Sequence, residues 1–222
     1  MTDTSPLGRA QSGRRRGSYG REDMTAIRLR RLNRWQAEGL KEDVADLYVE
    51  SSHPAAGAAH SGREAFLHRL TGDVRRPGFS MLVAERATLF GCVFGFPLRR
   101  DGSWWRGLLG PLPRGIEQLT ASGHVFAIAA VVVAPHEQGL VLGRRLQERL
   151  LDDHRALLGA TLVPRSDVRS LAAFRSWGWQ EVGEVHRPPG TALLRALVLP
   201  LGRAPAPASG PGLPAGNRRP ER

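Results

Sequence analysis

The segment Val131-Val132-Val133-Ala134-Pro135-His136-Glu137-Gln138-Gly139-Leu140-Val141-Leu142-Gly143-Arg144-Arg145-Leu146 has the spacing most able to do chemistry in this chain. An apolar strand ends at a proline, a short turn follows, and an amphipathic helix opens among glycines. The first amides of a helix have no intrahelical partner and lie at the positive end of its dipole, so such a start suits a phosphate or pyrophosphate. Gly139 lets backbone approach an anion closely, and Gly143 reduces bulk in the first turns. Arg144 and Arg145 add positive charge. The same pattern also fits a plain strand–turn–helix unit whose glycines only relieve packing.

Other reactive residue types are sparse. The single cysteine, Cys92, excludes an intramolecular disulfide framework and a Cys-rich zinc site. A cysteine can carry an acyl group, but flanked by Gly91, Val93 and Phe94 this one reads as a small core residue. Histidines at 53, 60, 68, 124, 136, 154 and 186 show no metal-ligand spacing, so no metal is expected. His136 and Glu137 read as solvated turn residues. His124 opens the central apolar strand and is the one candidate for a general base, although the strand end is remote from where chemistry is expected. Asp167 precedes a helical pattern and reads as a cap before it reads as a ligand contact. Trp104 and Trp105 line either an acceptor pocket or a dimer contact.

These residues need elements to hold them. Ile27 and Leu29 alternate with arginines, as a half-buried strand does. Leu40, Val44 and Leu47 follow at helical spacing behind Trp35. Ser61-Gly62-Arg63-Glu64 has the form of a capping box opening a second helix. Strands are expected at 80–85, 88–96 and 125–133, with a turn at Asp101-Gly102 and an irregular Gly/Pro segment at 107–115. A helix over 138–157, a strand at 160–163, a helix at 168–177, and strands at 179–185 and 192–199 complete the order. Mixed connectivity of this kind implies an α/β sheet with helices on both faces.

The segment from Val131 to Leu146 resembles the acetyl-CoA motif of the GNAT N-acetyltransferase superfamily. That motif runs apolar-x-Val-x-Pro, two residues, then Arg/Gln-Gly-x-Gly-x-Gly/Ala. Gln138 takes the Arg/Gln position, Gly139 the next glycine and Gly143 the final Gly/Ala, while Val141 replaces the middle glycine. A second stretch, Asp167-Val168-Arg169-Ser170-Leu171-Ala172-Ala173-Phe174-Arg175-Ser176-Trp177-Gly178-Trp179, resembles the family's Asn-x-x-Ala-x-x-apolar-Tyr-x-x-x-Gly-Phe element, with Asp167 at the Asn and Phe174 at the Tyr position.

The resemblance implies a mixed, mostly antiparallel sheet of about seven strands, splayed between the fourth (125–133) and fifth (160–163). It implies pantetheine along Val131, Val132 and Val133, and a pyrophosphate on the amides of Gln138, Gly139, Leu140, Val141, Leu142, Gly143 and Arg144, with Asp167 and Phe174 beside the cofactor. It implies an acyl-CoA-dependent N-acyltransferase with acetyl-CoA as donor and an unidentified primary amine as acceptor. The acceptor enters over the first two helices and the Trp104-Trp105 loop. Two departures stand out: Val141 adds bulk near the phosphates, and Phe174 has no hydroxyl to protonate a departing thiolate. The run from Phe126 to Ala130 also has no ionisable side chain. A GNAT-fold module that binds acyl-CoA without transferring it is the alternative.

Composition bounds what remains. The chain has 222 residues, 41% hydrophobic and 24% charged, enough for one domain with a substantial core. The pattern predicts that domain over 24–201, flanked by a basic tail at 1–23 and a Pro/Gly/Ala-rich tail at 202–222, neither with apolar periodicity. The net charge is +11, and every basic residue except Lys41 is arginine. The positive charge is spread along the chain rather than gathered on one helix, so specific nucleic-acid binding is not expected, whereas an anionic small molecule is attracted. No apolar run approaches the ~18 residues of a membrane span, and no secretory signal pattern opens the chain; a cytoplasmic location is the expectation, with a homodimer as an option.

Overall fold

The computed structural model describes residues 27–52, 58–135, 139–187 and 193–202. The two expected tails (Gly202 apart), His53, His136, Glu137 and Gln138 lie outside the described residues. The order begins with β1 (Arg28–Leu32), α1 (Arg34–Gly39), α2 (Lys41–Ser52), α3 (Ala58–Val74), β2 (Ser80–Glu85) and β3 (Leu89–Pro97). A 3-10 turn (Ser103–Trp105), β4 (Leu108–Leu109), α4 (Arg114–Ser122) and β5 (Val125–Val133) follow. The chain then runs through α5 (Gly139–Asp153), β6 (Leu158–Pro164), α6 (Val168–Ser176), β7 (Gln180–His186) and β8 (Leu193–Pro200).

The eight strands form one sheet in the order β1-β2-β3-β5-β6-β8-β7-β4, antiparallel throughout except for β5 against β6. The expected architecture holds, with one strand more than the sequence pattern suggested. That strand, β4, is only two residues long and pairs with β7 at the sheet edge, too short to leave a periodic signal.

Side-chain alternation on β5 assigns the layers. Phe126 and Ile128 join Leu142, Leu146 and Leu150 of α5 and Leu171 and Phe174 of α6 in one core. On the other face, Val44 and Leu47 of α2 and Phe66 and Leu70 of α3 pack on Met81, Val83 and Phe94. Val125 and Ala127 share that second face with Phe96, Trp105 and Ile116 of α4 in a third cluster. Leu142, Leu146 and Leu150 are fully buried; each contributes about 1.5–3 kcal/mol of transfer free energy.

Three local expectations are corrected. The capping box is not at Ser61, which lies inside α3, because Ala58-Ala59 extend that helix backwards as strong helix formers. A reciprocal box is found instead at Asn33, whose Oδ1 accepts from the Gln36 amide at 2.9 Å while Gln36 Oε1 accepts from the Asn33 amide at 3.0 Å. The first helix is broken at Leu40 into α1 and α2. Finally, α4 occupies a stretch without an expected element. Its signals were Pro113 just before it and Gly123, at φ 79°, just after it.

Within β5 the register against β3 slips: Phe94 faces Ala130 but Gly95 faces Ile128, leaving Ala129 as a bulge. The extra residue reverses the alternation, so Val131 and Val133 now face α5 and Val132 faces the α1–α3 layer. Gly95 permits this, because a β-carbon there would stand 1.9 Å from the Ala127 carbonyl oxygen. Gly95→Ala is therefore expected to destabilise by about 1–3 kcal/mol or more. Gly115→Ala, in α4 with nothing within 4 Å, is expected to be neutral or stabilising by up to about 1 kcal/mol. Urea midpoints of the two variants check the contrast, and a Gly95→Ala midpoint equal to the parent would contradict the bulge geometry.

Candidate functional site

The parallel pairing of β5 with β6 lasts only from Val125–Ala127 to Leu158–Ala160. From there β6 stays with β8 while β5 stays with β3, so the two strands part as expected between the fourth and fifth strands of the sequence pattern. The first carbonyl past the ladder, that of Ile128, accepts a buried hydrogen bond from Thr161 Oγ1 at 2.9 Å. A side chain thus replaces the missing ladder partner. Residues Val125 to Ile128 are buried, whereas Ala129, Ala130 and Val131 are only half-buried. Ala129 packs against both clusters of the second face.

Beside this opening stands the start of α5. A β-carbon added to Gly139 would meet only ordinary contacts, Ala134 O and Val133 Cγ1 at 3.7 Å. Packing among the described residues therefore does not require glycine at 139. Gly143 has a different reason: a β-carbon there would lie 2.9 Å from Trp177 Cη2, so the glycine admits the Trp177 indole between α5 and α6, close to Val131. Leu142 is buried in the core, while Leu140 and Val141 are each 59% exposed. Arg144 is engaged by Glu148 one turn on, Nε to Oε1 at 2.7 Å.

The remaining candidates separate. Asp167 caps α6, its Oδ1 accepting from the Ser170 amide at 3.0 Å. Phe174 is buried, edge-on to Trp177 and Trp179 with ring centroids at 5.3 and 5.2 Å. Val131 and Val133 are half-buried at the opening, whereas the Val132 side chain lies in the core beneath α1–α3. His124 stands at the paired end of β5, five residues and about 16 Å from the Ala129 bulge. There its Nδ1 meets Ser122 Oγ at 2.8 Å and its carbonyl accepts from the Leu157 and Leu158 amides. Cys92 is fully buried, and that burial pushes its thiol up to about 12. Trp105 is a core residue whose Nε1 donates to Thr120 Oγ1 at 3.0 Å; Trp104 alone of the pair remains half-buried. No group of three potential metal ligands gathers among the described residues, and no described helix is long and apolar enough to cross a membrane.

Sequence reasoning missed Thr161 and Trp177. A lone hydroxyl in the apolar run from Ala160 to Val163 was the available signal, since a buried hydroxyl needs a partner. A cavity of about 900 Å³ opens elsewhere, between β1 and α5, floored by Ile27, Leu29, Leu82 and Leu201; of the residues singled out in the candidate phosphate segment, Arg145 alone lines it. The site is better placed by the parting of β5 and β6, where backbone is left without a strand partner, than by the volume of that groove.

No protein-family model and no curated protein matches the chain. Solved structures do. Aminoglycoside 6′-acetyltransferase type Ii superposes with a TM-score of 0.55 at 13% identity, over 80% of this chain and 99% of that one. PH1933 from Pyrococcus horikoshii OT3 gives 0.53 at 17% identity, over 78% and 98%. The fold is that of the GNAT acetyltransferases.

Two outcomes follow from burial. Phe174→Tyr places a hydroxyl among indole rings and is expected to lower stability by about 1–3 kcal/mol, read as a fall in urea midpoint; an unchanged midpoint would show the ring edge to be open. Cys92 is expected to resist a disulfide thiol probe in the native protein and to react only on unfolding. Stoichiometric labelling of the native state would contradict its burial.

Proposed function

We propose that this protein transfers an acetyl group from acetyl-CoA to a primary amine. The observation that carries the reading is the parting of β5 from β6 beside the helix start at Gly139. The splayed strand offers backbone to a pantetheine arm along Val131 and Val133. The opening amides of α5 from Gly139 to Leu142, backed by the helix dipole, offer donors to the pyrophosphate. In this reading the thioester carbonyl lies by the bulge at Ala129, near strand amides, which stabilise the oxyanion formed when a neutral amine attacks. The acyl carbon–sulfur bond then breaks, the attacking nitrogen gives up a proton to solvent, and the departing thiolate takes one up.

The side chains themselves supply little acid–base chemistry. From Val125 to Val133 no residue ionises, Phe174 has no hydroxyl, and His124 is at the far end of the strand. Catalysis therefore rests on positioning and backbone electrostatics. Activity is expected to rise with pH toward the pKa of the acceptor amine, because only the neutral amine attacks. The same scarcity of acid–base groups favours a second reading, a GNAT-fold module that binds acyl-CoA without transferring it. Thiol release with an amine panel across pH distinguishes them: release that climbs with amine ionisation supports transfer, and binding without release supports the module.

The donor site has its own test. Val141 is exposed in the first turn of α5, so Val141→Asp should leave the melting temperature unchanged or slightly higher, since an acid suits the helix start. The same carboxylate would repel a pyrophosphate held there. Calorimetry is expected to show acetyl-CoA binding weakened about tenfold or more, equivalent to about 1.4 kcal/mol. Equal affinity in the two proteins would remove the phosphates from this turn.

A further inference from the structure

On the face of β5 opposite α5 and α6, two arginines and two aromatic rings form a cluster that nothing in the donor site uses. Arg76, just past α3, lies with its Cζ 4.4 Å from the Phe96 ring centroid. Arg187, just past β7, lies 4.7 Å above the Trp104 ring, and its Nη2 donates to the Trp104 carbonyl at 2.7 Å. The two rings meet edge-on at 5.8 Å. Phe96 is in register with Ala127 of β5, two residues before the bulge, and Ala129 itself packs against the same cluster.

The arrangement is rigidly built. The His186 amide donates to the Gly107 carbonyl at 2.9 Å, tying the end of β7 to the loop that carries Trp104. Gly107 has φ 83°, and a β-carbon there would stand 2.0 Å from the His186 carbonyl oxygen. Only glycine satisfies both conditions. The neighbouring Arg187 is thereby fixed over Trp104.

Its charges do not balance. Asp73 is the one carboxylate in the cluster, and it pairs with Arg76, Oδ1 to Nε at 2.9 Å. Arg187 makes no ion pair within 4 Å among the described residues; burial and the like charge of Arg76 hold its pKa below the usual guanidinium range, and Asp73, already paired with Arg76, offsets them only in part. The buried Trp104 Nε1–H likewise has no acceptor among them. A half-buried guanidinium at Arg187 and an unused indole donor at Trp104, on rigid supports, are costly unless an acceptor of hydrogen bonds and negative charge comes to them, and the exposed Arg76 adds positive charge beside them.

We propose that Arg76, Arg187 and Trp104 receive an oxyanion, a carboxylate or a phosphate monoester, carried by the amine acceptor. This rests on the acyl-transfer reading above and adds the acceptor's chemical class. The acceptor is then an amine with an anionic group rather than a polycation, whose charge this face would repel. Guanidinium forks suit both oxyanions.

The test uses the full chain and acetylated product analogues. Indole N–H signals are followed by NMR, with Trp104→Phe assigning the Trp104 signal. N-acetylglycine and N-acetyl-O-phosphoethanolamine are titrated against the neutral N-acetylglycinamide. At least one anionic probe is expected to move the Trp104 signal at concentrations where the amide does not, and which one moves it names the oxyanion. Arg187→Gln, or Arg76→Gln if the first does not fold, is expected to weaken that response about tenfold or more while calorimetric acetyl-CoA affinity is unchanged. Equal response to anionic and neutral probes, no response to either, or a response retained in the folded variant would overturn the inference. Failure of acetyl-CoA binding in the parent would instead overturn the transfer reading, since the indole titration does not depend on it.

Discussion

Where β5 leaves β6, two strands that began as a parallel pair uncover backbone groups that must find other partners. Thr161 satisfies the first of them by donating to Ile128 O at 2.9 Å. Past that point β5 is held on one side only, by β3. The bulge at Ala129 and the absent side chain at Gly95 let the strand bend there without breaking its ladder. Everything assigned to the site depends on that bend: the half-exposure of Ala129 to Val131, the turn of Val131 and Val133 toward α5, and the access from both faces of the sheet. A ligand with its own hydrogen-bonding chain is the natural complement to such a strand edge.

The two faces then divide the electrostatic work. On one, the amides that open α5 supply partial positive charge without any side chain, with Arg144 turned toward Glu148. On the other, whole guanidiniums at Arg76 and Arg187 are held over aromatic rings. Many of the chain's remaining arginines are neutralised locally, as in Arg30 with Glu85 and Arg63 with Glu42 and Asp46. The high net charge is thus a weak guide to partners, while an arginine half-buried on a rigid support, as Arg187 is, says more about where an anion fits.

Much of this was legible in the residues. The apolar run of β5 and the helical period of Leu142, Leu146 and Leu150 are signals local in sequence, and each became the expected element. Asp167 as a cap and Cys92 as a core residue were equally local readings. What escaped depends on contacts distant in sequence. Gly143 reads as a phosphate-site glycine until Trp177, 34 positions on, is seen to fill the space above it. Thr161 is an unremarked residue until Ile128 is found opposite, and Arg187 gains meaning only from Trp104 and Arg76. The short β4 and the separate α1 escaped for a simpler reason: neither is long enough to establish a period.

The central claim is that the β5 edge beyond Ile128 is an open strand edge that the donor's pantetheine completes. Amide hydrogen exchange along β5, with and without acetyl-CoA, reads this directly. The account predicts strong protection from Val125 to Ile128 in the free protein and weaker protection for the amides of Ala129 to Val133 that face away from β3. Saturating acetyl-CoA should raise protection selectively at those amides and at the first turn of α5. Uniform protection along β5 in the free protein, or ligand-induced protection elsewhere with none at Ala129 to Val133, would contradict it.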